Sequence, residues 1–189
     1  MTNFHAPYIT VGISVAAGIP DFRTPDIGLY AQVGRLGLPF PEAIFSLDYF
    51  RSNPAAFYTI ANEFLTYHAQ PVLAHKFIRR LQDEEILLCN YTQNIDGLEL
   101  CAGVSLSKLV QAHGHMRSAR CIECRTECGV DVFMEAIRTQ QVLYCSGCNP
   151  EAGNIVLSSA LVKPDIVFFG ESLPASFGEK FSLIKSGME

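Results

Sequence analysis

Hydrophobic and polar positions alternate along this chain in two rhythms, and the switch between them sets out its elements. Residues 1–11 read as the end of a short strand. The stretch 11–20, V-G-I-S-V-A-A-G-I-P, is a glycine-bounded turn with small residues at helical spacing. Pro41, followed by Glu42, Ala43, Ile44 and Phe45, fits a helix with proline in its first turn. Asn53 and Pro54 fit a cap and first position, opening a helix with Ala56, Phe57, Ile60, Ala61 and Phe64 on one side. A helix is expected from about His68 to Asp83, with Leu73, Phe77 and Leu81 as its apolar stripe and Lys76, Arg79 and Arg80 on its wet face. Residues 86–91, I-L-L-C-N-Y, form a run apolar on both faces, as a parallel strand covered by helices requires. A short helix over 98–103 and a short strand at Leu109 and Val110 follow. A core strand is expected over 162–170, and a helical pattern through Phe177, Phe181 and Ile184. Strands alternating with helices predict an α/β fold with a parallel sheet. Between 119 and 148 the periodicity weakens and cysteines and charges collect, which marks an inserted module.

Composition narrows the class. The chain has 189 residues, 49% apolar and 17% charged, enough to bury a core. A net charge of -5 argues against a nucleic-acid or anionic-membrane binder, both of which need a basic face, but suits a basic peptide. No apolar run approaches the roughly 20 residues of a bilayer-spanning helix. The amino terminus lacks the basic and apolar regions of a secretory signal, so an intracellular protein is expected, with cytoplasm, nucleus and mitochondrion not distinguished.

Four of the seven cysteines form two C-x-x-C pairs, Cys121 with Cys124 and Cys145 with Cys148. Two such knuckles supply four thiolates in a tetrahedron, the arrangement of a structural zinc with no open position. Cys128 is spaced wrongly for a knuckle and is read as a bystander. Other candidates are less specific. The Gly12–Gly18 stretch is neither a G-x-G-x-x-G fingerprint nor a Walker loop, and reads equally as a tight turn or a phosphate site. Asp21, Phe22 and Arg23 follow it in a Gly/Pro-rich loop, either a ligand loop or an ordinary capped one. Gln93, Asn94, Ile95 and Asp96 end the strand at 86–91, where α/β ligand sites gather, though a turn held by Asx bonds fits as well. His113 lies between Ala112 and Gly114, and His115 competes with it as a general base.

Taken in order, these segments resemble the sirtuin family, and its deacetylase branch in particular. The matching stretches are G-I-S-V-A-A-G-I-P-D-F-R over 12–23, G-L-Y over 28–30, P-E-A-I-F over 41–45, Y-T-Q-N-I-D-G-L over 91–98, Q-A-H-G over 111–114, the two cysteine pairs, and V-K-P-D-I-V-F-F-G-E over 162–171. The resemblance implies a Rossmann-like domain with a small domain of helical and zinc modules. The expected boundaries are 1–118 for the first part of the Rossmann-like domain (helical module about 35–80), 119–161 for the zinc module, and 162–189 for the return to the sheet. It implies an NAD-dependent protein-lysine deacetylase, which consumes NAD as co-substrate and releases nicotinamide and 2′-O-acetyl-ADP-ribose. By resemblance, Gly12, Ser14, Ala17, Asp21, Phe22 and Arg23 contact NAD, with Phe22 shielding the reaction from water. Gln93, Asn94, Ile95 and Asp96 hold nicotinamide and ribose. His113 is the catalytic base, Val167 and Phe168 wall the acyl-lysine tunnel, and Cys121, Cys124, Cys145 and Cys148 bind zinc. The implied partner is an acetyl-lysine protein or peptide, such as a histone or other basic tail. The desuccinylase-type branch has a Tyr and an Arg where this chain has Ala61 and Phe64, which favours neutral acyl groups over succinyl.

The chain departs from the family at T-V-G-I-S, where the family has T-G-A-G-I-S, and the β-branched Val11 is poor in a phosphate-binding turn. It also ends where the family continues with further strands. A truncated sheet with impaired NAD binding is therefore expected. Two other functions follow from that expectation and from the shared chemistry: a binding or regulatory isoform, and a mono-ADP-ribosyltransferase.

Overall fold

The computed structural model describes residues 6–20, 38–66, 68–148 and 160–186. Asp21, Phe22, Arg23 and the segment 149–159 lie outside the described residues. In chain order the elements are β1 (Ala6–Thr10), α1 (Leu47–Ser52), α2 (Pro54–Thr66), α3 (Leu73–Asp83), β2 (Leu87–Thr92), α4 (Leu98–Cys101), β3 (Leu109–Gln111), β4 (Gly114–Cys121), β5 (Glu127–Cys128), α5 (Val130–Arg138), β6 (Val162–Ile166) and α6 (Ala175–Ser186). Two 3₁₀ turns, Val15–Ala17 and Pro41–Phe45, stand where the sequence pattern points to helix. No helix among the described residues is long and apolar enough to cross a membrane.

The chain divides into two units, one of residues 1–21, 69–114 and 172–189, the other of 22–68 and 115–171. The first is built on a parallel sheet in the order β1-β2-β3. Tyr8, Ile9 and Thr10 lie opposite Asn90, Tyr91 and Thr92, which in turn face Leu109, Val110 and Gln111 where the strands overlap. This register brings Thr10, Thr92 and Gln111 into one row at the carboxyl ends. Strand β2 is covered on both sides, its polar Asn90 and Thr92 included, as a central parallel strand requires. Ile78, Leu81, Leu87 and Val104 form one cluster with Tyr8 and Ile13 against it, while Cys89, Tyr91 and Val110 form another under Phe177 of α6. The face of α3 differs from the expected stripe. Leu73 and Phe77 are 81% and 54% exposed, whereas His75, Ile78 and Leu81 face inward. The His75 ring is held there because its Nδ1 accepts the Val72 amide, which caps the start of the helix.

The second unit has a sheet in the order β5-β4-β6, with β4 and β5 antiparallel. Its core is a cluster of rings. Phe57 and Phe168 have centroids 5.2 Å apart, Phe50 meets both edge-on at 5.7 and 5.6 Å, and Tyr58 meets Phe133 at 6.1 Å. Such pairs add about 0.5–1.5 kcal/mol each beyond the area they bury. Tyr58, fully buried, donates its hydroxyl to the Val162 carbonyl at 2.8 Å and so ties α2 to β6. Burial pushes that phenol well above its ordinary value, which keeps it a donor. Helix α1 begins at Ser46, whose hydroxyl accepts the Tyr49 amide, and it ends at Asn53. Asn53 thus closes one helix as Pro54 opens the next.

Candidate functional site

In the first unit, the candidate residues converge at the carboxyl ends of the parallel strands, the usual ligand side of an α/β sheet. A buried polar layer supports them. Asn90 Nδ2 donates to Thr10 Oγ1 at 3.3 Å, the Gln93 amide to the Thr10 carbonyl at 3.3 Å, and the Asn94 amide to Thr92 Oγ1 at 3.1 Å. Above it, Ser14, Asn94 and Asp96 form one chain of hydrogen bonds. Ser14 Oγ donates to Asp96 Oδ2 at 2.6 Å and accepts from Asn94 Nδ2 at 2.9 Å. The second carboxylate oxygen, Asp96 Oδ1, accepts the amide of Leu98, the first residue of α4, at 2.8 Å. One aspartate therefore fixes both the turn after β1 and the turn after β2. Gly12 and Gly18 bend that first turn with φ of +71° and +85°, and a Cβ at either would meet no atom within 4 Å. Backbone and space there suit the close approach of an anionic group.

The remaining candidates take different positions. Gln93 is exposed, while Ala17 and Ile95 are half-buried. His113 is exposed in the turn after β3, where the Ala112 amide bonds the Thr92 carbonyl at 2.9 Å. His115 is half-buried on β4. Burial, and then the charge of Arg117, lower its pKa, so it resists protonation. Of the two, His113 is the imidazole open to a ligand. Asp21, Phe22 and Arg23 are outside the described residues. Glu99, fully buried on α4, escapes any reading from spacing. Burial raises its pKa and nearby Asp96 reinforces that, while neither carboxylate oxygen meets a hydrogen-bond partner among the described residues. Its only signal in the sequence is an acid at a helical position that faces inward.

In the second unit, the ligand atoms of Cys121, Cys124, Cys145 and Cys148 all lie within 4.8 Å of one another. The sulfurs of Cys121 and Cys148 are 3.7 Å apart, those of Cys124 and Cys145 3.6 Å. A zinc tetrahedron with Zn–S bonds of about 2.3 Å has edges of about 3.8 Å, so the donor set fits that ion. All seven cysteines are free thiols. Cys128 stays outside the group, with its sulfur 3.6 Å from the Gly129 carbonyl. Cys124 is the readiest to ionise. Thr126 Oγ1, 3.1 Å from its sulfur, leads in lowering it to about 6, and Cys148, sharing its proton with Cys124, is raised to about 12. A dication held by the four sulfurs would remove that conflict by favouring the thiolate of each.

A third candidate segment follows β6. Val167 is half-buried and Phe168 fully buried, its ring among Phe45, Phe50 and Phe57. Ala61, at the proposed acyl-selecting position, is fully buried, and the side chain of Phe64 lies outside the described residues.

With this geometry in place, comparison decides the lineage: the profile described as "Sir2 family" matches residues 10–187. The chain belongs to the Sir2 family. Among the relatives of this Sir2-family chain is the NAD-dependent deacetylase sir2A of Dictyostelium discoideum, 44% identical over 171 residues, covering 89% of this chain and 31% of the relative. The NAD-dependent protein deacetylase HST2 of Candida albicans is 44% identical over 166 residues, covering 88% and 47%. The mouse NAD-dependent protein deacetylase sirtuin-3 is 45% identical over 170 residues, covering 89% and 48%. The chain thus spans between about a third and a half of the length of these relatives.

Proposed function

We propose that this Sir2-family chain serves NAD-dependent removal of acetyl groups from lysine side chains. The observation that carries the reading is the hydrogen-bonded set of Ser14, Asn94 and Asp96 at the carboxyl ends of three parallel strands, with the exposed imidazole of His113 on the neighbouring strand turn. The activity named for the relatives supports it. NAD, when bound, would supply the ribose whose hydroxyl takes up the acetyl group. The chain's own residues bind and orient. Gly12 leaves the backbone open to phosphate, Ser14 and Asp96 hold the turn, and Gln93 and Asn94 offer amides to hydroxyl or carboxamide groups. Asp21, Phe22 and Arg23 are assigned to the same cofactor by motif alone. His113 accepts a proton from a ribose hydroxyl. Val167, backed by the buried Phe168 ring, offers an apolar wall to a neutral acetyl-lysine and disfavours the free ammonium, whose burial unpaired is costly. The substrate class is an acetylated protein segment, and the net charge of -5 favours a basic one such as a histone tail.

The test is mass-spectrometric turnover of an acetyl-lysine peptide by this chain, with and without NAD, beside His113→Ala. NAD-dependent loss of acetyl is expected, reduced about 10²- to 10⁴-fold in the variant, the range of a lost general base. Equal turnover by the variant would remove His113 from the chemistry, and no turnover by the parent chain would overturn the reading.

A further inference from the structure

A lysine buried to 4% exposure near the start of β6 is unusual enough to require a reason, and Lys163 has one. Its ammonium group has three protons and three acceptors: the Pro164 carbonyl at 2.9 Å, the Ile166 carbonyl at 2.5 Å and Glu171 Oε2 at 2.9 Å. The charge also sits 4.4 Å from the centre of the Phe168 ring. Glu171 Oε2 in turn accepts the Phe168 amide at 2.8 Å, and the Glu171 amide returns to the Phe168 carbonyl at 3.0 Å. Phe169 is pinned as well, its amide to the Phe45 carbonyl at 2.7 Å and its carbonyl to the Leu47 amide at 3.1 Å. Gly170, with φ +96°, makes the turn back to Glu171. The carbonyl of residue 166 and both backbone groups of 168 and 169 are therefore engaged. Between them, Val167 makes no backbone hydrogen bond among the described residues. A buried ion pair of this kind is poor evidence for stability, since its desolvation offsets much of its attraction. What it does here is fix one conformation of a short segment that no ladder holds.

We propose that Lys163 and Glu171 are positioning residues, which hold the segment 167–170 in one conformation for the acyl-lysine peptide of the proposed function. A segment held in its binding conformation before the peptide arrives spares the cost of ordering it on binding. The inference rests on the deacetylase reading for the identity of the peptide. The clamp itself stands on the distances alone.

Two measurements on the full zinc-loaded chain test it, each with Lys163→Met and Glu171→Gln. Amide deuterium exchange reads the segment directly. A short basic fluorescent peptide carrying one acetyl-lysine, with its unacetylated form as control, reads recognition. Both variants are expected to exchange faster at 167–171 while β4 and the zinc content stay as in the parent. Affinity for the acetylated peptide, or KM for it where turnover is measurable, should worsen about tenfold, with NAD binding unchanged. The methionine variant removes the charge and can loosen the whole unit. The glutamine variant keeps an acceptor for the Phe168 amide and distinguishes the two outcomes. Parent-like exchange at 167–171 in Glu171→Gln overturns the clamp. Faster exchange with undiminished peptide affinity overturns its role in recognition. A parent chain that does not distinguish the acetylated peptide from its control overturns the deacetylase reading and the recognition half with it, while exchange still decides the clamp.

Discussion

The two units of this chain keep their shape by different means. The first is a conventional sheet unit, in which β2 is covered on both sides and every strand end runs into a polar layer of Thr10, Asn90 and Thr92. The second also has a three-stranded sheet, in which β5 is only two residues long. Its segment 115–148 carries β4, two residues of β5 and one helix, and it depends on a knot of aromatic rings and on four sulfurs arranged for an ion. In the first unit a covered sheet tolerates a demanding polar network at the site. In the second the rings supply the apolar core, and around the four sulfurs, where large apolar side chains are few, coordination would carry the structure.

Three perturbations should separate these means. Stripping zinc with a chelator, or replacing Cys121 by Ser, should have the largest effect, removing several kcal/mol and loosening 115–148 while β2 keeps its amide protection. Metal content by mass spectrometry with residue-level exchange reads this, and equal loss of protection in both units would break the comparison. Phe57→Ala should come next. It leaves a cavity beside Phe45, Phe50 and Phe168 and should cost about 3–5 kcal/mol in denaturant unfolding. Glu99→Gln should act least, and in the opposite direction. Burial holds the Glu99 carboxyl above its ordinary range, with Thr92, Asp96 and His75 around it. The folded chain therefore binds this proton more tightly than the unfolded one. Stability should fall as pH rises from the ordinary carboxylate range through the folded value, each unit of difference being worth about 1.4 kcal/mol. The amide removes that slope, so the variant should equal its parent in acid and exceed it at neutral pH in parallel thermal melts. A parent melt flat over that window would show Glu99 satisfied by a partner of its own.

Much of this was legible in advance where a local rule acts alone. The apolar run at 86–91 could only be a covered strand, and the cysteine pairs announced four thiolates by spacing. The helix 47–52 went unread because its signal is a single capping serine, Ser46. Strand β4 and helix α5 went unread because a metal-supported module needs little apolar periodicity. The stripe assigned to Leu73 and Phe77 failed because tertiary burial turned His75 and Ile78 inward instead. At the site, sequence pointed to Ser14 and Asp96 separately. That they share a proton across 82 positions is a property of the strand register, which no local rule contains.

That same register has a consequence for how the molecule is made. Thr10 lies beside Thr92, and the residues between them include 22–68, which belong to the other unit. That unit in turn needs 115–171, and the first needs its helix at 175–186. At about 5–20 residues per second, a ribosome exposes β1 for roughly 4–16 s before its partner strand has been synthesised. Each half of the fold is interrupted by the other, so neither can close early. The nascent chain carries Tyr8 of β1 without its core through that interval, and the aromatic segment 45–58 for longer, until Phe168 is made, and it is then, more than once folded, that a chaperone would have most to hold.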